Sequence, residues 1–363
     1  MALLIEHLDR RVVTPLAICP GPGELTDHLR ALDCPVAHVP LYPIKPRTLG
    51  RVWASTRRIR ALIRAERVDV IAPDAPRDAL TCGLAALRTP AKLVWFVRWT
   101  GPDRLDPLLE RLADGMIGDS ADVRRRFSHS ARVSAKFRAI LGGVDLHRFR
   151  PADDRDGVRA RLGLPRDRCI VLFAGQVTHA KGVLDVVEAL GLLRAALPED
   201  RMPLLLVVGT ASPAAIVDEI AERAAAGRVA AHVRVIPHQP NIEQWMQAAD
   251  VLVSGSRQDT EGMSRVLYEA MACGAVAVAT NIRGNRDAVT PDTGMLVAER
   301  APAELARALR SLVTDDARRA RMRAQGVRRA REVFDIAAHA RAVERFYLDL
   351  VAERGRAPSG TAP

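Results

Sequence analysis

The stretch Glu261-Gly262-Met263-Ser264-Arg265-Val266-Leu267-Tyr268-Glu269 places two glutamates eight positions apart between two strand-like runs. A mostly apolar run, 250–254, precedes the stretch, and a helix-forming segment, 270–274, leads into a second apolar run, 275–280. A strand, a glycine turn and a helix start form an anion-binding site, because free backbone N–H groups and the helix dipole favour a phosphate. Eight positions are about two helical turns, so the carboxylates can reach different parts of one extended ligand. The pattern predicts a nucleotide-sugar site, with one acid for the sugar and one for the ribose.

Apolar runs alternate with amphipathic segments in both halves of the 363-residue chain, which is long enough for two domains. Such alternation is typical of parallel strands joined by crossover helices. In the first half we predict strands at 12–19, 36–41, 68–72, 93–97 and 115–120, and helices at 3–10, 23–32, 48–67, 106–113 and 121–127. In the second half we predict strands at 169–175, 204–209, 233–237, 251–254 and 275–280, and helices at 181–196, 213–226, 242–248, 263–272, 302–313 and 337–352.

Four motifs in this order resemble those of the retaining GT-B glycosyltransferases of family 4. They are Gly142-Gly143-Val144-Asp145-Leu146-His147-Arg148-Phe149, the segment 171–182 with Lys181-Gly182, the Glu261 to Glu269 stretch, and Gly284-Asn285-Arg286-Asp287-Ala288-Val289 followed by 293–297. The matches extend over roughly residues 115–300, and the two spaced glutamates are the most specific of them.

The resemblance implies an α/β fold of two doubly wound, Rossmann-like domains that face each other across a cleft. We predict an acceptor-side domain at 1–148, a linker at 149–168, a nucleotide-sugar-binding domain at 169–335, a crossing helix at 336–354 and a disordered tail at 355–363. Ligands of such sheets bind at the carboxyl ends of the strands.

The beginning of the chain departs from the family pattern, which opens with a strand and a glycine-rich loop. Here residues 3–10 already resemble the first helix, and residues 12–19 resemble the second strand. The missing strand is central in such a sheet, so its absence leaves unpaired backbone groups that are costly to bury. Two interpretations remain open: a start site assigned too far downstream, or a first domain that is truly short.

The resemblance assigns the donor diphosphate to Lys181, whose ammonium can stabilise a departing pyrophosphate. Glu261 is expected to contact hydroxyls of the transferred sugar, and Glu269 those of the ribose. The family usually has an arginine where this chain has Gln176, which carries no charge. Arg265 or Arg98 could supply the missing charge.

Backbone N–H groups of Gly262, Met263 and Ser264 are expected to hold sugar or phosphate oxygens. His238, after a predicted strand, lies where the family's main chain meets the base, although an ordinary loop histidine is an equal alternative. Arg98 stands where the family often has a histidine near the reacting sugar; it could bind an anionic group or be structural. Ser120 is expected to cap the helix that follows it.

The formal net charge is +11, and arginines are concentrated between Arg47 and Arg67. Apolar residues interleave with them at helical spacing, which predicts a surface helix with a buried stripe. The stripe consists of Val52, Trp53, Ile59, Leu62 and Ile63. Contact with an anionic membrane surface is the alternative. Nucleic acid is not expected, because no aromatic platform accompanies the arginines.

Five widely spaced cysteines without a Cys-x-x-Cys motif indicate free thiols in a reducing cytoplasm. Asp153-Asp154-Arg155-Asp156 is predicted to be a solvated turn, and no metal or other cofactor is expected. No apolar run approaches the length of a membrane span.

These observations predict a cytoplasmic, metal-independent retaining glycosyltransferase, and peripheral contact with the inner face of the membrane is an open alternative. The donor would be a nucleotide diphosphate sugar, with uridine favoured over guanosine, and the acceptor a hydroxyl of a glycan, a lipid or a small natural product. A catalytically weak binding or partner subunit and a sugar-nucleotide epimerase of similar fold are the alternatives.

Overall fold

The structure is a computed structural model that describes residues 1–258 and 262–355. The chain divides into two units: unit 1 comprises Met1–Gly143 with Ile336–Pro363, and unit 2 comprises Val144–Asp335. Residues 149–168, predicted to be a linker, are part of unit 2, and the helix that begins at Ile336 is part of unit 1. Residues 356–363 of the predicted tail lie outside the described part of the chain.

The strands of unit 1 form two separate parallel sheets. The strands are β1 (Ala17–Cys19), β2 (Val36–His38), β3 (Val70–Ile71), β4 (Lys92–Val97), β5 (Gly115–Gly118) and β6 (Phe137–Ala139). One sheet has the order β1-β2 and the other β3-β4-β5-β6. The helices are α1 (Ala2–His7), α2 (Glu24–Ala31), α3 (Leu49–Ala65), α4 (Pro76–Ala86), α5 (Asp106–Leu112) and α6 (Ala131–Lys136), together with the C-terminal helix Ile336–Gly355.

The two sheets of unit 1 share the helices that cover them. Helix α1 places Leu4 against Val94 of β4, while its Ile5 packs in the cluster that contains Cys19 of β1. On the other face, Ile18 of β1 packs against the cluster that contains Leu93 of β4. Among the described strands, β1 pairs only with β2 and β3 only with β4. No strand among the described residues joins the two sheets.

Unit 2 contains one parallel sheet of six strands. They are β7 (Ile170–Ala174), β8 (Leu204–Val208), β9 (Val233–Ile236), β10 (Val251–Ser254), β11 (Val276–Thr280) and β12 (Gly294–Val297). The spatial order is β12-β11-β10-β7-β8-β9. The inner strands are buried along their whole length, which is why they are nearly continuous apolar runs in the sequence.

The helices of unit 2 cover both faces of this sheet. They are α7 (Arg155–Arg161), α8 (Val183–Arg194), α9 (Ile216–Ala226), α10 (Ile242–Ala248), α11 (Arg265–Cys273), α12 (Asn285–Ala288), α13 (Pro302–Thr314) and α14 (Asp316–Val333). The C-terminal helix Ile336–Gly355 of unit 1 is α15 in this numbering. The core of unit 2 includes Leu205 and Val253 of the sheet and Leu309 of α13.

Several local predictions are wrong. The segment around Asp154 is the start of α7 and not a turn, since the Asp154 carboxylate accepts a hydrogen bond from the Gly157 backbone N–H at 2.8 Å. The predicted helix at 121–127 is present as a 3-10 helix, but the Ser120 side chain makes no capping hydrogen bond. Residues 12–16 precede the strand that begins at Ala17. Trp53, predicted in the buried stripe of α3, is 61% exposed.

Candidate functional site

The loops after β7 and β10 meet at the carboxyl edge of the sheet of unit 2. The chain runs from β7 outward to β9, then returns to β10 on the other side of β7, so the strand order reverses there. Gly182 has a φ of +67°, and a Cβ on it would overlap the carbonyl group of Gly255. The Arg257 backbone N–H donates to the Ala180 carbonyl at 2.9 Å. In open α/β sheets this reversal point is where ligands bind.

Gln176 and Lys181 lie in the first of these loops. Gln176 follows Gly175 directly after β7 and is exposed. Lys181 ends a 3-10 turn in which the Thr178 side chain accepts from the Lys181 backbone N–H at 3.3 Å. Burial lowers the pKa of the Lys181 ammonium below its ordinary value. Since α8 begins at Val183, the ammonium and a helix N-terminus belong to the same turn, and both favour an anion.

Glu269 lies on α11 and is only 8% exposed. Its carboxylate accepts from the exposed Arg265 guanidinium, one turn earlier, at 3.0 Å. Burial raises the pKa of the Glu269 carboxyl, and the charges of Arg265 and Arg148 oppose that rise without cancelling it. A buried carboxylate with one hydrogen-bond partner retains oxygen lone pairs for further donors, such as hydroxyl groups.

The residues at the N-terminus of α11 are buried. Gly262, Met263 and Ser264 are buried, and a Cβ on Gly284 would overlap the Gly262 carbonyl oxygen, so the loop after β11 touches this turn. The next residue, Asn285, is fully buried and donates its amide to the Thr280 carbonyl at 3.0 Å. Its Oδ1 has no hydrogen-bond partner among the described residues.

Asn285 is a candidate that sequence reasoning did not single out, although it lies within the fourth motif. The signal would have been an asparagine directly after Gly284, at the start of a helix that follows a buried strand. Glu261, by contrast, lies outside the described residues, so its predicted position is not on view.

His238 and Arg98 follow two other strands. His238 is exposed after β9, the edge strand, and β8 separates β9 from β7. Arg98 belongs to unit 1 and follows β4 at its carboxyl end. Its guanidinium lies over the Phe96 ring at 5.1 Å and contacts the Met1 sulfur at 3.3 Å. Gln176, Lys181, Gly262 to Arg265 and Glu269 all belong to unit 2, on the segments that follow β7 and β10.

The two halves of the sequence match two family profiles. Residues 1–148 match the profile described as Glycosyltransferase Family 4, and residues 154–329 match Glycosyl transferases group 1. The chain belongs to the group 1 glycosyltransferases of GT-B fold. The predicted family resemblance is thereby confirmed.

Curated relatives of this group 1 glycosyltransferase carry one recurring name. The D-inositol 3-phosphate glycosyltransferase of Jonesia denitrificans is 35% identical over 205 residues, which cover 54% of this chain and 48% of that protein. The protein of the same name from Kineococcus radiotolerans is 35% identical over 269 residues, covering 68% of this chain and 60% of that protein. The chain thus spans about half the length of the curated relatives it matches, between 48% and 60% for these two.

Solved structures show the fold of this glycosyltransferase. A glycosyltransferase from Rickettsia africae superposes with a TM-score of 0.84 at 18% identity, covering 96% of this chain and 93% of that one. HepE from Anabaena, crystallised with UDP, superposes with a TM-score of 0.82 at 19% identity, covering 96% and 95%. The predicted GT-B fold class is confirmed. Within residues 1–258 and 262–355, no helix is long and apolar enough to cross a membrane.

Proposed function

We propose that this group 1 glycosyltransferase is a retaining enzyme that moves a sugar from a nucleotide diphosphate sugar to an acceptor hydroxyl. The observation that carries the proposal is the meeting of the β7 and β10 loops at the reversal point of the sheet, with Lys181 beside the N-terminus of α8. The crystal structures of Anabaena HepE with UDP and with UDP-glucose support a uridine donor.

Lys181 would neutralise the diphosphate. Burial disfavours the charged form of this lysine and lowers its pKa, and a bound anion would stabilise the charged ammonium. The N–H groups at the start of α8 and α11 would add to this field. Gln176 would donate a hydrogen bond to a phosphate oxygen without adding charge, and Arg265 would contribute charge from its exposed position. Glu269 would accept hydrogen bonds from the ribose hydroxyls.

Glu261 would contact the transferred sugar, and Arg98 would act near the acceptor, in an arrangement that the family resemblance implies. The glycosidic C–O bond to the diphosphate breaks as the acceptor oxygen bonds to the same face of the sugar. The acceptor proton passes to the departing phosphate oxygen. This balance requires no side-chain nucleophile, and the positive groups above supply the charge stabilisation without a metal ion or other cofactor.

The acceptor is proposed to be a hydroxyl of a small polyol, a glycan or a lipid. The names of the curated relatives make inositol phosphates the first acceptors to try. We further propose that the enzyme acts in the cytoplasm, since its five cysteines are all free thiols, and that it contacts the membrane peripherally.

Thermal unfolding of the purified chain with UDP, GDP, uridine or no addition tests the donor site. A ligand at about 100 times its Kd adds ~2.7 kcal/mol to the free energy of unfolding. We expect a rise in Tm with UDP that Glu269→Ala reduces. Matched assays with UDP-glucose and an inositol phosphate then follow sugar transfer by release of UDP. A cooperative melt indifferent to both diphosphates would contradict the proposal.

A catalytically weak binding or partner subunit is the second candidate. Gln176 replaces the usual arginine, and Arg98 the usual histidine, so both charge stabilisation and acceptor chemistry differ from the family pattern. This candidate predicts nucleotide binding without turnover for any acceptor, unless a second protein is added. The epimerase alternative is the weakest, since the match to both glycosyltransferase profiles gives it no support.

A further inference from the structure

All the Asp, Glu, Lys and Arg residues of segment 34–65 in unit 1 are basic ones. It contains no aspartate or glutamate, and it carries Lys45 and six arginines, four of which are Arg47, Arg51, Arg57 and Arg64. None of the ion pairs among the described residues includes an arginine of α3, although most other helices of the protein have such pairs. No carboxylate among the described residues therefore neutralises the arginines of α3.

Helix α3 has a buried face and a mixed exposed flank. Val52, Ile59 and Ile63 are buried against the core. On the flank, Leu49, Trp53, Arg57 and Arg64 follow one another at spacings of four, four and seven residues, which align them along the helix. Leu49 is 54% exposed and Trp53 is 61% exposed. Two large apolar side chains in one row, exposed between arginines, are not explained by the packing of unit 1.

The loop before α3 continues the same chemistry. Ile44, Lys45 and Arg47 are all exposed. The Arg57 guanidinium lies over the Trp53 ring at 4.6 Å. This cation–π contact stabilises the exposed position of the Trp53 ring, and the N–H groups of Arg57 can still donate hydrogen bonds. We call the residues Ile44, Lys45, Arg47, Leu49, Trp53, Arg57 and Arg64 the α3 ridge.

We propose that the α3 ridge docks unit 1 on the surface of an anionic bilayer. Trp53 and Leu49 would enter the interface between headgroups and acyl chains, and the basic side chains would contact lipid phosphates. The inference rests on the proposed cytoplasmic location, because the anionic leaflet faces that side, and it names the residues of the peripheral contact proposed above. It is independent of the sugar-transfer chemistry.

A bilayer fits the ridge better than a nucleic acid does. A single-stranded nucleic acid needs several stacking rings along a basic groove, whereas the ridge offers one exposed ring, that of Trp53. Exposed leucine and isoleucine contribute nothing to phosphate binding in water, but they are stabilised when they leave water for acyl chains.

Sedimentation with vesicles tests the proposal. We compare phosphatidylcholine vesicles with vesicles containing one part phosphatidylglycerol to three parts phosphatidylcholine, at low and high salt. We expect binding to the anionic vesicles only. The variant Arg57→Gln/Arg64→Gln should weaken it by at least tenfold, since each basic residue contributes about fivefold. The variant Leu49→Ser/Trp53→Ser should lose the binding that persists at high salt.

Two exposed arginines of unit 2 provide the matched control. The variant Arg321→Gln/Arg331→Gln removes the same charge from α14 and should bind vesicles like the unchanged protein. Equal loss in this control would mean that net charge, and not the ridge, drives binding, and would overturn the proposal. So would wild-type protein that ignores anionic vesicles, or one that binds an oligonucleotide in their place.

The same preparations are tested for thermal stabilisation by UDP. Protein that responds to UDP but does not bind vesicles overturns the ridge alone. Protein that binds vesicles through the ridge but ignores UDP overturns the proposed donor site alone. A cooperative melt of each variant shows that the substitutions, all at exposed positions, leave the fold intact.

Discussion

Gly182 and Gly255 touch backbone to backbone where the two loops of the candidate donor site meet. Gly182 has a left-handed φ of +67°, and its α-carbon faces the carbonyl group of Gly255 with no room for a Cβ. The contact holds the turn that carries Lys181 against the loop after β10. The geometry of the candidate site therefore depends on two residues that have no side chain.

Substitution of Gly182 by alanine should destabilise the protein by more than the cost of a non-glycine residue at a positive φ, because the new Cβ also overlaps Gly255. The matched control is Gly163→Ala, since Gly163 has nearly the same φ, +63°, with nothing within 4 Å of a Cβ. The control should lose about 1–2 kcal/mol, the cost of a left-handed non-glycine residue. Gly182→Ala should lose more, and its response to UDP should fall. Equal losses in urea unfolding, with UDP binding retained in both, would contradict the close contact.

Nucleotide binding should weaken as the pH falls through the pKa of Glu269. Burial raises this pKa above the ordinary value of 4.5, so the window lies above pH 4.5. Protonation removes acceptor capacity needed for the ribose hydroxyls. We expect Glu269→Ala to reduce UDP affinity by about 1.5–3 kcal/mol, the range for hydrogen bonds to charged groups. Calorimetric titration with UDP and with uridine measures it, and both ligands should be affected.

The conservative variant Glu269→Gln provides the control for the pH effect. Its UDP affinity should be lower and nearly constant across the same pH range. The stability of the unliganded protein should show the opposite trend to binding. A raised pKa means that the folded state holds the proton more tightly, so Glu269 contributes less stability as the pH rises through that pKa. Glu269→Gln should remove this slope from urea unfolding measured at several pH values.

Removal of the Lys181 charge should affect diphosphates selectively. Lys181→Met should weaken UDP binding but leave uridine binding nearly unchanged, and it should lower kcat by about 10²–10³ if the ammonium stabilises the leaving group. Burial lowers the pKa of this lysine, and a bound diphosphate would raise it again. UDP binding at alkaline pH should therefore take up protons, as measured by calorimetry in buffers of different ionisation enthalpy. Proton uptake that persists in Lys181→Met would exclude Lys181 as its source.

Asp250 should be a large contributor to the stability of unit 2. Its buried carboxylate accepts from Arg155 and from Arg159, each at 2.7 Å, and from the Ile170 backbone N–H at 2.8 Å. Asp250→Ala should cost about 3–5 kcal/mol, since it leaves two arginines without their buried partner. The matched control is Asp153→Ala, because the exposed pair of Asp153 with Arg150 is worth about 0–1 kcal/mol. Urea unfolding compares the two.

Ionisation of the Asp250 carboxyl should make the free energy of unfolding depend on pH in the acid range. Burial opposes ionisation of Asp250, but Arg155 and Arg159 outweigh it and lower its pKa below 3.8. The stability contributed by the ionised form is present above the ordinary aspartate pKa and is lost as the pH falls through the lowered one. The acid-unfolding midpoint should therefore be higher in pH for Asp250→Asn than for the unchanged protein. Coincident acid transitions would argue against the pairing.

Sequence reasoning located the central strands of unit 2 because those runs are apolar at every position. The prediction for β10 matches the observed Val251–Ser254, that for β7 is one residue too long at each end, and that for β11 is one residue too long at its start. Helix α4 was missed, since it is buried on nearly all sides and has no amphipathic period. Helix α14 was missed because its buried stripe of Met322, Gly326 and Ala330 consists mostly of small residues.

The sequence by itself determined the family, the two-domain α/β fold and the order of the donor-site motifs, since these depend on local patterns. The tertiary structure alone decided which residues meet. It brought Gly182 to Gly255, although 72 positions of chain lie between them, and it assigned two arginines to Asp250. It also placed Trp53 at the surface, although the sequence periodicity predicted it in the buried stripe of α3. Periodicity gives the face of a helix, but only packing against the rest of the fold determines which flank stays in water.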